Sequence, residues 1–458
     1  MSVSGVLGQE SKASVFDAQH WASTLGVILG VTLFAFEGLA IVTIAPLIAD
    51  ALAGRALYGW IFSGFLLASL LGTVIGGRQA DRTGPARPFI LGLVLFASGL
   101  LISGFAPTMV VLVVGRVVQG LGGGAVVTAL YAAVNVAYPD SLRPRIVALM
   151  SSAWVVPALV GPSVAGLLAE AFSWRVVFWG MVPLLLIVVL LAYPAFRKLE
   201  GNSAVGPGKS LRAAFILVIG AGLFLVGLSF SNVILLAGAS GIGIALALFS
   251  LRQLLPEGTL SLRSGLPSLV AARGLFYASF AGVQAFLALM LTSVHGFSPS
   301  VTGVALATGA ISWTAGSWLQ DYFDKRLGKS GRGTRIFAGT LVLGAGLGVQ
   351  LIALFASSAP LAITVAGWLV AGFGIGLAHS TSSVLAFALA PAGEEGAVAS
   401  ALQLSDQVMA ALSTGVGGAL FAYAAAAGFA EVSAIAAAFL FSLALGGLGV
   451  VAAYRVSG

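Results

Sequence analysis

The chain has 458 residues, of which 59% are hydrophobic and only 8% charged, with a formal net charge of +7 and no Cys. A soluble domain carries about a quarter charged residues, so this composition excludes a water-coated globule and makes lipid the solvent. Without Cys there are no disulfides and no thiolate metal sites.

Residues 1–24, with Glu10, Lys12 and Asp17, lack the basic start and cleavage site of a removable leader. They read as a cytoplasmic leader in which 14–24 is either a short interfacial helix or an unstructured lead-in. A helix needs about 20 apolar residues to cross the hydrocarbon. Six candidates follow, near 25–49, 57–77, 88–106, 108–136, 145–170 and 174–194. Two more lie near 212–230 and 233–251, and six near 270–293, 299–320, 335–356, 361–389, 397–422 and 431–454. The thinnest boundaries are Ala106-Pro107-Thr108 and Asn232.

Charge placement tests this count of fourteen. With the N-terminus inside, 19 of the 22 Lys and Arg residues, Arg273 among them, fall on inside connections. Only Arg55 and Arg175 fall outside, and Arg116 lies within a span. That is positive-inside topology, which removes any need for nucleic acid to explain the charge and puts both termini in the cytoplasm. The polar stretches 195–211 and 252–268 bracket the seventh and eighth spans. The expected domains are therefore a leader 1–24, a six-helix half 25–194, linkers with two extra helices 195–268, and a second six-helix half 269–458. Parallel six-span halves place a solute site near the midplane between them.

Four motifs sit at telling places. Gly77-x-x-x-Asp81-Arg82-x-Gly84, with Arg87 beyond, follows the second span, and Gly115-Arg116 with Gln119-Gly120 lies in the fourth. Pro157, Gly161, Pro162 and Gly166 punctuate the fifth, and Glu37 with Pro46 marks the first. Together they resemble the signatures of the major facilitator superfamily, on its fourteen-span drug:proton antiporter-like branch. Glu37 stands where that branch usually has Asp, and Val42 near its usual Asn. The resemblance implies an all-α polytopic fold, two six-helix halves plus two extra helices, in a monomer that works by alternating access. It also implies that Arg116 modulates the first-span acid, and that the Gly77–Arg87 loop latches the cytoplasmic side shut in the outward-open state.

Glu37 lies about twelve residues into its span among Leu33, Phe34, Ala40 and Ile41, where an ionised carboxylate is costly and a proton-binding role is the default. A permanently paired packing acid is the alternative. Asp406 is the second acid within a span, on one stripe with Ser400, Gln403 and Gln407. Proton coupling is accordingly assigned to Glu37, Asp406 and Arg116. The substrate cavity is assigned to Gln403, Gln407, Trp154, Trp313 and His379, with Trp368 as a further candidate and helix packing as the rival reading of the aromatics. Gly120–Gly124 and Gly206–Ser210 imitate nucleotide-binding loops without the required context, and no ATP-binding domain is visible. The expected function is proton-driven export of an amphipathic or lipophilic compound across the cell inner membrane, with the proton gradient in place of any cofactor and no enzymatic activity. The alternatives are a lipid or envelope-precursor exporter, a proton symporter, and a non-transporting membrane receptor.

Overall fold

The computed structural model describes residues 15–17, 20–139, 142–199, 209–230, 232–328, 330–391 and 394–457. The leader before residue 15, Glu10 and Lys12 included, and positions 206–208 of the nucleotide-loop lookalike lie outside them.

Backbone groups in hydrocarbon must be satisfied within the chain, and the described residues answer with helices. The first group comprises α1 (Trp21–Ala51), α2 (Trp60–Thr83), α3 (Ala86–Gly104), α4 (Met109–Ala137), α5 (Arg143–Ser152), α6 (Val155–Ala171) and α7 (Trp174–Phe196). Then come α8 (Lys209–Gly227) and α9 (Val233–Leu254). The last group is α10 (Leu266–Leu289), α11 (Pro299–Leu327), α12 (Arg332–Phe355), α13 (Pro360–Leu389), α14 (Glu395–Ala426) and α15 (Glu431–Ser457). Twelve segments of the described chain are long and apolar enough to cross a membrane; α11 is not among them, and the apolar stretch of α8, Leu211–Gly227, is shorter than the rest. The chain is thus a multi-pass membrane protein.

Side-chain caps explain the thin boundaries. Thr108 accepts from the backbone N–H of Val111 to start α4, and Asn232 accepts from Ile234 and Leu235 to start α9. Of the stretch 14–24, the described residues form a turn over 15–17 and the first turn of α1 from Trp21, with the His20 N–H donating to Asp17 Oδ1 at 2.8 Å. The fifth span is built from two helices. It breaks between Ser152 and Val155, where Pro157 has no N–H to offer the Ala153 carbonyl.

Contacts run chiefly within α1–α7 and within α10–α15, and the two groups meet through α6 on α11, α2 on α14, and α1 on α10. The extra pair packs through α8 onto α2 and α14. One end of the bundle carries Arg55, the C-terminus of α10 and the start of α15; the other carries Asp81 and the start of α14. They are called here the Arg55 end and the Asp81 end.

Candidate functional site

Two ion pairs are built into the interior, one in each group of helices. In the first, Glu37 of α1 and Arg116 of α4 are 4% and 1% exposed. Arg116 Nη1 donates to Glu37 Oε1 and, at 2.6 Å, to Gln119 Oε1 one turn along α4. Its Nε donates to the Ile61 carbonyl of α2 at 3.1 Å, and the guanidinium lies 4.3 Å from the Phe65 ring centre. One guanidinium thus ties three helices together. The other carboxylate oxygen, Glu37 Oε2, is buried with no hydrogen-bond partner among the described residues. Glu37 also borders a cavity of about 10 Å³ walled by Ile41, Leu100, Phe178 and Met181.

The second pair corrects the charge map. Arg273, read from the sequence as a loop charge, lies inside α10 and is 7% exposed. Its Nε donates to Asp406 Oδ1 at 3.1 Å and its Nη2 to Asp406 Oδ2 at 2.9 Å, a bidentate grip, and its Nη1 donates to Ser383 Oγ at 2.6 Å. His379 completes the group, with Nε2 at 2.8 Å from Arg273 Nη2 and 3.3 Å from Asp406 Oδ2. The first contact asks that nitrogen for a lone pair and the second for a proton, so one tautomer cannot satisfy both. His379 therefore belongs to this cluster, where Trp313 and Tyr277 flank its ring at centroid distances of 5.3 and 5.8 Å.

The remaining assigned residues spread around these centres. Trp154 is 44% exposed and meets Phe34 edge-on at 6.2 Å, while Gln403 is exposed and Gln407 half-buried. Trp368 is fully buried against Phe280 at 4.6 Å and donates its indole N–H to the Leu306 carbonyl, so it is core. Gly120–Gly124 pack α4 against α2 and α3, as expected of close-packing glycines. Gly166 and Pro162 face α11, meeting the Pro299 carbonyl and Gly303, whereas Gly161 faces Phe36 of α1.

At the Asp81 end, Gly84 terminates α2 at φ +80°, a conformation that favours glycine. Gly77 is half-buried against Thr128; Asp81, Arg82 and Arg87 are exposed, and Asp81 has no hydrogen-bond or charged partner among the described residues. Polar contacts between the two groups cluster instead at the Arg55 end. Tyr58 Oη donates to the Ala285 carbonyl at 2.8 Å, Arg55 pairs with Glu431 at 2.8 Å, and Ser300 Oγ donates to Glu170. Gly59 lies against Gly418 beside them. The bundle is closed at the Arg55 end. Sequence reasoning missed Arg273, Tyr58 and this closure; the only advance signal was that Arg55 and Glu431 both flank spans at that end.

A multi-pass helical bundle with two buried ion pairs, closed at one end, is the architecture of a solute transporter. A model of the Major Facilitator Superfamily matches residues 26–414, and the chain belongs to that superfamily. A Mycobacterium tuberculosis protein described as a probable multidrug-efflux transporter is 27% identical over 451 residues, covering 93% of each chain. The Multidrug resistance protein Stp of the same species is 25% identical over 391 residues, covering 83% of this chain and 69% of its own. Among solved structures, a bacterial homologue of the human lysosomal transporter Spinster, described as inward-facing and unoccupied, superposes with TM-score 0.68 at 15% identity over 96% of this chain and 98% of its own. The POT-family transporter PepTSo gives 0.66 at 15% identity over 94% and 97%. At these identities the two structures establish the fold.

Proposed function

We propose that this chain is a proton-driven antiporter that exports amphipathic or lipophilic compounds by alternating access. In this reading it sits in the cytoplasmic membrane with fourteen crossings and both termini inside, so the Asp81 end faces the cytoplasm and the structure is the inward-facing state. The names of the relatives support the cargo class, and so do the part-exposed aromatic and amide groups of Trp154, Trp313, Gln403 and Gln407.

One observation carries the coupling: Arg116 holds Glu37 on one side and the Ile61 carbonyl on the other, two residues from Gly59 at the closed end. Proton binding at Glu37 removes the negative charge and leaves Arg116 to Gln119 and Ile61. The charge state of α1 is thereby tied to the first turn of α2, which forms the closure with α14. Of the two acids, Glu37 is the better proton carrier, since Oε2 is free while Asp406 is gripped in bidentate fashion. In this reading the Asp406–Arg273–His379 cluster lines the cavity and fixes α10, α13 and α14. Asp81 has no partner among the described residues, and in this reading the loop latch is undone, as an inward-facing state requires. No cofactor is invoked: the gradient supplies about 2.3 kcal/mol per charge per 100 mV.

The test is wild-type protein in liposomes with an imposed pH gradient and a lipophilic fluorescent cation as cargo. Antiport predicts uphill cargo movement against the proton flow, abolished by a protonophore. Movement indifferent to the gradient would exclude it.

A further inference from the structure

The extra helices leave a cleft. On its far side from α2, α8 touches α14, but its partner α9 stands apart from α14 and α15, and between them lies a cavity of about 290 Å³. Its walls, Phe224 of α8, Ile244 and Leu248 of α9, Leu412 of α14, and Phe441 and Leu445 of α15 among them, are entirely apolar. Ile244 and Leu248 are each 43% exposed, so the cleft opens sideways toward hydrocarbon. An apolar slot of this size does not suit water, which needs polar partners.

Charge marks one mouth of this slot. Leu248 leads four residues on to Arg252, and the Phe441–Leu445 face of α15 leads on to Arg455, both at the Asp81 end and both exposed. Arg212 stands at the same end of α8, and Arg455 Nη1 reaches the Leu262 carbonyl of the following linker at 3.3 Å. The acids nearby are Glu257 in that linker, and Glu394 and Glu395 at the start of α14. Helix packing sets Leu217 of α8 level with Val408 of α14. At 1.5 Å per residue, Glu395 then lies about 12 Å farther out along the axis than Arg212. The rim then carries Arg212, Arg252 and Arg455 against Glu257, a net basic balance.

We propose that this cleft binds an anionic glycerophospholipid, one acyl chain lying in the slot and the phosphate held by Arg252 and Arg455. Such a lipid fills the gap that α9 leaves against α14 and α15. The site is separate from both buried ion pairs, and the inference does not rest on proton coupling or on any cargo.

The experiment equilibrates purified protein with equal amounts of phosphatidylglycerol and phosphatidylcholine of identical chains, then counts retained lipids by native mass spectrometry. Wild type is expected to retain the anionic lipid over the zwitterionic one by about thirtyfold, the scale of two arginines at an anionic headgroup. Arg252→Gln/Arg455→Gln should bring the ratio close to one. Ile244→Trp and, separately, Leu445→Trp fill the slot, and at unchanged melting temperature each should lower retention of both lipids. Equal retention of the two lipids by wild type would overturn the headgroup assignment, and undiminished retention in both tryptophan variants would overturn the slot.

Discussion

Gly59 and Gly418 meet backbone to backbone where the two groups of helices close. A Cβ built on Gly59 would come within 2.7 Å of the Gly418 Cα and 2.6 Å of the Thr414 carbonyl oxygen, and one on Gly418 within 2.6 Å of the Gly59 Cα. No flexible side chain stands between them to yield. Gly418→Val should therefore force the Arg55 end apart while leaving each group folded. The chain has no Cys, so a single Ser63→Cys, buried one turn from Gly59, reports directly. Its labelling by an impermeant maleimide should rise several-fold in Gly418→Val, and unchanged labelling would contradict the closure.

The Arg55–Glu431 pair bridges the same end but is 40% and 26% exposed at its side chains. Exposed pairs are worth about 0.2–1 kcal/mol, and salt screens them. Glu431→Gln should accelerate Ser63→Cys labelling by about 1.5- to 5-fold at low salt. High salt should accelerate labelling of the parent to a similar degree and leave Glu431→Gln nearly unmoved. An equal salt response in both would assign the closure to packing alone.

Removing one partner of a buried pair strands the other. Arg116→Gln leaves Glu37 among Ile41, Leu100 and Phe178, and a loss of about 3–5 kcal/mol is expected. Glu37→Gln is milder, because Arg116 keeps Gln119 and the Ile61 carbonyl. Glu37→Gln/Arg116→Gln should be more stable than the sum of the single variants by about 0.5–3 kcal/mol. Thermal melts in detergent measure this; simple additivity would mean that the two residues do not act as a pair.

The second cluster makes a parallel case with a different functional outcome. Arg273→Gln leaves Asp406 with only the His379 ring, at 3.3 Å, beside it from the cluster, and should destabilise by about 3–5 kcal/mol. Adding Asp406→Asn should restore much of that loss. Asp406→Asn alone should slow transport yet keep its dependence on the pH gradient. Loss of that dependence would move the proton site from Glu37 to Asp406.

Much of this was legible because depth in a membrane helix follows from counting residues. Glu37 and Arg116 fall at compatible depths on the rise per residue, and the structure brings them into direct contact. Arg273 was not legible: it lies seven residues into α10, and counting positive charges at span ends assigns such an arginine to the loop. Its partner Asp406 is 133 residues away, beyond any helical periodicity. Gly59 and Gly418 are farther apart still, and glycines are so common here, 61 in all, that no single one stands out. Pro157 did announce a bend, but only the structure shows it dividing α5 from α6. The apolar composition hid Trp368 in the same way, since a tryptophan in a span reads alike whether it faces core or cavity.

The central claim is that Glu37 carries the coupled proton, and one comparison tests it most directly. Glu37→Gln and wild type in matched liposomes would be assayed both for cargo exchange at equal pH and for uphill cargo movement under a pH gradient. The account predicts that the variant keeps exchange within a few-fold of wild type and loses the gradient-driven movement. Gradient-driven movement at the wild-type level in Glu37→Gln would contradict it.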